Sequence, residues 1–157
     1  MTTMNRRDVL IVDDDASLCR TLEAAVNRLG LTSDIAGDGA EALVRIAAAQ
    51  YSLVLLDLVM PKVDGGEFVT ELAKLEAVSP ERPIILMMTA FPVNDRPELA
   101  TRIQAVIPKP FDVIELAELV FDCIETRRLH VAGQERGAAR TAFRAVDATL
   151  PVRSDEH

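Results

Sequence analysis

The sequence predicts an α/β domain in which helices cover both faces of a parallel β-sheet. Runs of consecutive apolar residues at 53–56 and 84–88 are typical of strands that are buried on both faces. Between such runs, apolar residues recur at helical spacing. Predicted strands that alternate with predicted helices, five of each, indicate parallel pairing. The chain has 157 residues, 49% of them hydrophobic, which is enough for one domain with a substantial core.

Three consecutive acidic residues, Asp13, Asp14 and Asp15, follow the first predicted strand. Asp15 precedes a helical pattern and is a candidate N-cap, and Gly30 is a typical helix stop at the other end. The first half of the chain therefore predicts two strands, each followed by a helix. These elements are a strand at 9–12, a helix with apolar positions from 18 to 29, a strand at 32–36 and a helix across 43–47.

One Asp follows the most apolar predicted strand. Asp57 comes directly after 53–56, and Pro61 prevents the strand from continuing. Taken alone, Asp57 could serve only to turn the chain, but the carboxyl end of a buried parallel strand is also where α/β sheets bind ligands. The remaining predicted elements are a helix across 68–75, a strand at 84–88, a short helix at 98–104, a strand at 106–107 and a long helix from about 112.

Composition and charge argue against several classes of protein. The net charge of −8 argues against a general nucleic-acid-binding surface. No apolar run approaches the ~18 residues of a membrane span, and the polar N-terminus does not resemble a secretory signal. Cys19 and Cys123 are too few for a disulfide framework and too far apart for a metal motif. We expect both to be core residues of a cytoplasmic protein.

The last part of the sequence differs from the rest. We predict one domain at 1–125 and a C-terminal extension at 126–157. Within the extension, apolar residues and arginines fall on separate faces of a short amphipathic helix at about 134–146, followed by disordered residues. This helix is expected to pack on the domain or on a partner. The extension is too short for a usual helix-turn-helix output domain, so a DNA-binding regulator is not expected.

The carboxyl ends of the parallel strands bring polar side chains to one edge of the predicted sheet. Asp13, Asp14, Asp57, Thr89 and Lys109 all stand at or just after strand ends. Carboxylates this close repel one another, by about 3 kcal/mol per pair at roughly 5 Å and an effective dielectric near ~20. A hard cation with oxygen ligands relieves this repulsion, which points to Mg²⁺. No His or Cys stands near these strand ends, so a zinc site is not expected.

This set of residues is suited to phosphoryl transfer. Asp57 is the candidate nucleophile, which forms an acyl phosphate. The metal and Lys109 would neutralise charge on the oxygens of the transferred group, and the hydroxyl of Thr89 would donate to one of them. A carboxylate that attacks phosphorus needs no general base, and the set contains none.

Five short motifs, in their order and spacing, resemble a response-regulator receiver domain of two-component signalling. The resemblance covers roughly residues 8–125. It implies a flavodoxin-like, doubly wound sheet of five strands in the order 2-1-3-4-5, with five helices. The motifs are Val-Asp-Asp-Asp at 12–15, Leu-Asp-Leu-Val-Met-Pro at 56–61, Asp-Gly at 64–65, Met-Thr-Ala at 88–90 and Lys-Pro-Phe at 109–111.

The resemblance implies a role for each residue of the metal site. Asp57 matches the phosphoacceptor of the family. Asp14 and Asp57 match the carboxylate ligands of Mg²⁺, and the backbone carbonyl of Val59 matches the third protein ligand. Asp13 matches a second acid that usually acts on the metal through water.

The resemblance also implies how a phosphoryl group is bound and reported. Thr89 matches the switch hydroxyl that moves toward the phosphate, and Lys109 matches the lysine that pairs with a phosphoryl oxygen. The peptide bond between Lys109 and Pro110 is expected to be cis. Receivers commonly have an aromatic residue where Val106 stands, and their segment between the threonine and the lysine is usually longer. We therefore expect an altered readout surface and a weaker response to phosphorylation.

By this resemblance the chain is a phosphoacceptor rather than an enzyme, since it would catalyse only its own phosphorylation and dephosphorylation. The expected phosphodonor is a histidine kinase or a histidine phosphotransfer protein. The expected output is binding of a downstream protein target, without direct contact with nucleic acid or membrane. The alternative is a scaffold or adaptor receiver whose partner binding depends little on phosphorylation.

Other interpretations account for fewer residues. The stretch 37–42 formally fits a dinucleotide-binding fingerprint, but the strand before it is short and Asp38 would repel a pyrophosphate. A Gly-x-x-x-x-Gly-Lys phosphate loop is missing from the sequence. A haloacid-dehalogenase-type phosphatase would use Asp13 and Asp15, but it would leave Asp57 unexplained.

Overall fold

A computed structural model describes residues 5–60, 64–76, 82–90, 99 and 101–131 of the chain. The strands in this part of the chain are β1 (Asn5–Val12), β2 (Ser33–Ala36), β3 (Ala49–Asp57), β4 (Ile84–Thr89) and β5 (Ala105–Pro108). All neighbouring strands pair in parallel, and they form one sheet in the order β2-β1-β3-β4-β5. The predicted doubly wound sheet and its strand order are confirmed.

Four of the predicted helices lie within the described residues. The first of them begins after Asp15, whose side chain accepts a hydrogen bond from the backbone N–H of Leu18 at 3.0 Å, as an N-cap does. Of the predicted short helix at 98–104, the structure describes Leu99 as helical and 101–102 as a turn, with the backbone N–H groups of Arg102 and Ile103 donating to the carbonyl of Leu99 at 2.9 and 3.0 Å, whereas 98 and 100 lie outside the described residues. The four helices are α1 (Ala16–Arg28), α2 (Gly39–Ala48), α3 (Gly65–Glu76) and α4 (Val113–Val131).

The sheet separates two hydrophobic clusters. On one face, α1 and α4 pack against side chains of β1, β3, β4 and β5, and this cluster contains the buried Cys19 and Cys123. On the other face, α2 and α3 pack over Leu10, Leu56 and Met87, with Phe68 fully buried. Both cysteines are free and buried, as expected for core residues. Side chains that alternate along each strand enter opposite clusters, so the buried part of every central strand is a run of consecutive apolar residues.

β1 and β3 begin earlier than their apolar runs suggest. Pairing begins at Asn5 and Ala49, four residues before each predicted strand starts, and includes Arg7 with Tyr51. The polar side chains tolerate this position because they find partners. Arg7 binds both carboxylate oxygens of Asp34 at 3.1 and 3.0 Å, and the Tyr51 hydroxyl donates to Asp34 at 2.7 Å. A pattern of apolar residues cannot reveal strand pairing that is supported by a polar cluster of this kind.

The last helix continues past residue 125. Arg127 donates to the carbonyl of Ser52 at 3.0 Å, and Arg128 pairs with Asp8 at 2.8 Å, so the end of α4 is attached to β1 and β3. The predicted division of the chain at 125, and the predicted helix at 134–146, stay predictions, since 132–157 lies outside the described residues. None of the described helices has the length and apolar character to cross a membrane.

Candidate functional site

The carboxyl ends of β1, β3, β4 and β5 meet at one edge of the sheet. Asp13 and Asp14 follow β1, Asp57 ends β3, Thr89 ends β4, and Lys109 follows β5. The structure brings Asp13, Asp14, Asp57 and Lys109 together through the contacts described below. Because the strands are parallel, their order alone determines that residues from separate motifs become neighbours.

Asp13 is held rigidly at the base of the site. Its side chain is 1% exposed, and each of its oxygens accepts one hydrogen bond. Oδ1 accepts from the backbone N–H of Asp15 at 2.9 Å, and Oδ2 accepts from Nζ of Lys109 at 2.9 Å. These two hydrogen bonds replace the contacts with water that a buried carboxylate loses.

Asp57 is a buried carboxylate with a perturbed pKa. Burial raises its pKa to about 6, and the neighbouring carboxylate of Asp13 adds to the shift. Lys109, whose Nζ lies 3.5 Å from Oδ1 of Asp57, opposes the shift, as does a hydrogen bond from the backbone N–H of Val59. Asp57 therefore carries its charge at neutral pH at an energetic cost, which a cation would relieve.

Lys109 connects two of the acids. Burial alone would lower its pKa, but the hydrogen bond and charge of Asp13, together with Asp57, outweigh burial and raise the pKa of the ammonium group. Its backbone N–H donates to the carbonyl of Thr89 at 2.9 Å, which joins the ends of β4 and β5. The peptide bond from Lys109 to Pro110, expected to be cis, is cis.

The other two predicted site residues flank this cluster. Thr89 is 3% exposed and ends β4, the strand next to β3. It follows Met88, which pairs with Asp57. Val59 contacts the site through its backbone N–H, which donates to the Asp57 carboxylate, and the residue is 55% exposed. Thr89 and Val59 are therefore placed at the same edge as the charged residues.

The acids form a group that could hold a metal ion. One carboxylate oxygen from each of Asp13, Asp14 and Asp57 lies within 4.8 Å of the others. All three donors are hard, charged oxygens, and neither His nor Cys belongs to the group. This donor set fits Mg²⁺, which prefers one or two carboxylates together with retained water.

The raised pKa of Asp57 predicts an unusual pH dependence of stability. In the unfolded chain its pKa is ordinary, so between about pH 4 and pH 6 the folded state binds the proton more strongly. Stability of the metal-free protein should therefore rise as the pH falls through about 6. We expect Asp57→Asn to stabilise the metal-free protein by about 1–3 kcal/mol at about pH 8, and the gain to vanish by about pH 4.

Urea unfolding in the presence of a chelator measures this effect. The matched control is Asp34→Asn, because the Arg7 and Tyr51 hydrogen bonds outweigh burial there and lower the pKa of the Asp34 carboxyl. Asp34→Asn should be less stable than the parent at pH 8, an effect opposite in sign to that of Asp57→Asn. Equal stability of Asp57→Asn and the parent at pH 8 would show that the charge on Asp57 costs nothing.

Gly65 is a site residue that the sequence analysis named only as part of the Asp-Gly motif at 64–65, without a role. Its backbone N–H donates to the carbonyl of Leu58 at 2.8 Å. A Cβ at this position would lie 2.6 Å from the carbonyl oxygen of Asp57 and 2.8 Å from Cα of Leu58. Only glycine allows α3 to begin this close to the segment that carries Asp57. The pair Asp64-Gly65 was visible in the sequence, but the contact it permits was not.

Gly65→Ala should therefore destabilise the fold by about 1–3 kcal/mol, because the new methyl group meets backbone that cannot move aside locally. Urea unfolding measures the loss. Gly37→Ala is the control, since the nearest atom to a Cβ there is the Glu41 carboxylate oxygen at 3.6 Å. A loss at Gly65 no larger than at Gly37 would contradict the tight contact.

A doubly wound sheet with three acids and a lysine at its strand ends is typical of the receiver class of signalling domains. The family model for the response regulator receiver domain matches residues 9–121. The chain therefore belongs to the response regulator receiver family, whose domains are signalling modules of two-component systems.

Curated relatives share the receiver part of their sequences with this chain. A probable transcriptional regulator, ycf27, of Porphyridium aerugineum is 38% identical over 114 residues, which are 72% of this chain and 46% of the relative. Response regulator MprA of Mycobacterium ulcerans is 32% identical over 109 residues, which are 69% of this chain and 46% of the relative. The chain thus spans about half the length of the curated relatives it matches.

Solved structures share the fold. The receiver domain of a Francisella response regulator superposes with a TM-score of 0.66 at 25% identity, covering 76% of this chain and 97% of that chain. The response regulator TrrA of Thermotoga maritima, solved in complex with Mg²⁺ and BeF, gives a TM-score of 0.60 at 30% identity, covering 75% and 97%.

Proposed function

We propose that this chain is a phosphoacceptor receiver that is phosphorylated on Asp57 by a histidine kinase or a histidine phosphotransfer protein. One observation carries the proposal. The Asp57 carboxylate lies at a strand end within 3.5 Å of a lysine ammonium group and beside two further acids. Such a carboxylate can act as a nucleophile toward phosphorus. Its surroundings favour an incoming phosphoryl group that is accompanied by a divalent cation.

In the proposed reaction an oxygen of Asp57 attacks the phosphorus atom of the donor. The new O–P bond forms as the P–N bond of a phosphohistidine breaks, and the imidazole leaves with the electron pair. Lys109, freed from part of its contact with Asp57, pairs with a phosphoryl oxygen. Thr89 donates its hydroxyl to another oxygen. Asp13 stays fixed by its two hydrogen bonds and keeps Lys109 oriented.

Asp14, Asp57 and the backbone carbonyl of Val59 would hold Mg²⁺, with Asp13 acting through water. The ion supplies charge neutralisation for the acids and for the transferred phosphoryl oxygens. The donor set of three carboxylates supports this assignment. The Mg²⁺ and BeF complex of TrrA, which is 30% identical to this chain, is a precedent in a similar protein.

Small phosphodonors test the proposal without a partner protein. Incubation with acetyl phosphate and Mg²⁺ should add one phosphoryl group to the chain, measured by intact-protein mass spectrometry. The same incubation with a chelator should add none, because the repulsion among the acids is then unrelieved. Equal labelling with and without Mg²⁺ would contradict the metal assignment, and no labelling under either condition would favour the scaffold alternative.

The output of this receiver is proposed to be binding of a downstream protein target. The supporting feature is the acidic composition of the chain, with a net charge of −8. We also propose that the domain works in the cytoplasm, where its phosphodonors act. The proposed receiver domain spans 1–125, and 126–157 is the proposed extension.

Val106 predicts a weak response to phosphorylation. It is half-buried on β5 beside Met87, and it lacks the ring that could report a movement of Thr89. We expect beryllofluoride to raise affinity for the protein target by less than about a hundredfold, or about 2.7 kcal/mol. Fluorescence anisotropy of the labelled target measures both affinities. Val106→Tyr should enlarge the gain, whereas a parent gain above a hundredfold would refute the prediction and no gain would support the scaffold alternative.

A further inference from the structure

The outer face of α4 carries an acidic stripe. Glu118, Asp122 and Glu125 follow one another at intervals of four and three residues, so they share one side of the helix. Glu118 and Asp122 are exposed, and Glu125 pairs with Arg128 at 2.6 Å. Neighbouring acids on one helix face repel one another, so this stripe favours a cationic partner.

Two large apolar side chains mark the ends of the same face. Ile114 is 55% exposed and Leu129 is 54% exposed, well above most apolar residues of the described domain. Ile114 lies four residues before Glu118, and Leu129 lies four residues after Glu125, so helical spacing places both in line with the stripe. The face therefore combines an acidic centre with apolar ends.

The sequence after α4 carries the complementary pattern. Arg136, Arg140 and Arg144 recur every four residues, within the predicted helix at 134–146. That predicted helix begins three residues after Val131, the last residue of α4 that the structure describes. A connection at 132–133 would agree with the roughly 2–5 residues that join antiparallel helices.

We propose that residues 134–146 form a helix that folds back, antiparallel, on the outer face of α4 of the same chain. The arginines then meet the acids in reverse order, and one register satisfies all three contacts. At ~1.5 Å per residue, both the predicted helix and the face from Ile114 to Leu129 are about 20 Å long. The paired residues are Arg136 with Glu125, Arg140 with Asp122, and Arg144 with Glu118.

The attachment of α4 to the sheet favours docking within one chain. Arg127 and Arg128 hold the end of α4 against Ser52 and Asp8, so the segment departs from a fixed point beside its docking face. A short connection gives the segment a high effective concentration at that face. Exposed ion pairs are individually weak, so the docking needs all three pairs and should weaken with salt. A partner that uses this face must displace the segment.

Hydrogen exchange of the full-length chain tests the docking independently of phosphorylation. At low salt, backbone amides of 134–146 should exchange at least about tenfold more slowly than in the isolated peptide. The protection should be lost in Glu118→Arg/Asp122→Arg and in Arg140→Glu/Arg144→Glu. The variant that combines all four substitutions should regain it, because the charges are then complementary again.

A charge reversal elsewhere on the domain is the control for this docking. Glu71→Arg, on α3 at the opposite face of the sheet, should leave the protection unchanged. Thermal unfolding checks the fold of each variant. If Glu118→Arg/Asp122→Arg does not fold, hydrogen exchange of Arg140→Glu/Arg144→Glu, which alters no described residue, tests the proposal by itself. The proposal would be overturned by exchange at the rate of the isolated peptide or by protection that survives charge reversal. Protection that grows with protein concentration would also overturn it, because the segment would then lie on a second copy of the chain.

Discussion

Replacing Asp57 with Asn is expected to abolish phosphorylation by acetyl phosphate in the presence of Mg²⁺. The amide is uncharged and is a poor nucleophile, and it also removes one of the three carboxylates that form the metal group. Its shape is nearly unchanged, so packing around the end of β3 should be kept. The fold should therefore survive while labelling falls to background. Intact-protein mass spectrometry over time measures the loss.

The matched control for this experiment is Asp122→Asn, which makes the same chemical change on the exposed face of α4. That variant should be labelled at the rate of the parent. A far-UV spectrum and a urea unfolding curve show whether Asp57→Asn is folded. Labelling of a folded Asp57→Asn variant to the level of the parent would mean that another residue accepts the phosphoryl group.

Replacing Lys109 with Met is expected to produce the largest loss of stability at the site. Lys109 binds the buried Asp13 at 2.9 Å and Asp57 at 3.5 Å, so its removal leaves two close carboxylates without their cation. Breaking a fully buried ion pair costs about 3–5 kcal/mol, and partial exposure of the ammonium group reduces this to about 2–4 kcal/mol. Acetyl phosphate labelling should also slow by about a hundredfold, since a cation for the phosphoryl oxygens is lost.

Urea unfolding without Mg²⁺ at about pH 8 measures the loss of stability. Lys74→Met is the matched control, because Lys74 pairs with Glu71 at 2.6 Å on the surface of α3. Exposed pairs contribute about 1 kcal/mol or less, so this variant should unfold almost as the parent does. Combining Lys109→Met with Asp57→Asn should recover part of the lost stability. A loss at Lys109 no larger than at Lys74 would refute its role as the cation of the site.

The sequence predicted the sheet and the site edge because both depend on local patterns. The apolar run that ends at Asp57 and the one that ends at Thr89 specify buried strands, and parallel order then places their ends together. Three carboxylates within 4.8 Å agree with the group expected from the strand ends. The order of strands came from the family resemblance rather than from these patterns.

Sequence patterns could not predict features that depend on contacts between residues far apart in the sequence. The early starts of β1 and β3 rest on the cluster of Arg7, Asp34 and Tyr51, which are separated in sequence. The glycine requirement at Gly65 depends on a close approach to the backbone of Asp57. The pKa of about 6 at Asp57 results from burial and from the Asp13 carboxylate, and neither is a property of the local sequence.

The structure also shows a contact of Lys109 that the motif alone did not specify. Its ammonium group lies closer to Asp13, at 2.9 Å, than to Asp57, at 3.5 Å. Asp13 therefore holds the lysine beside Asp57, and in the proposed reaction the lysine would turn from there to a phosphoryl oxygen. Residue identities predicted the members of the site, but the pairing among them emerged only from the folded arrangement.

Chemical trapping of the phosphorylated residue tests the central claim most directly. The chain is phosphorylated with acetyl phosphate and Mg²⁺ and then reduced with borohydride, whose hydride attacks the acyl carbon of an aspartyl phosphate and releases phosphate. A second hydride reduces the resulting aldehyde to the alcohol, so that the aspartate becomes homoserine, and peptide mass spectrometry locates it. We expect homoserine at position 57 and at no other aspartate. Homoserine at another position, or a labelled chain without any homoserine, would contradict phosphorylation on Asp57.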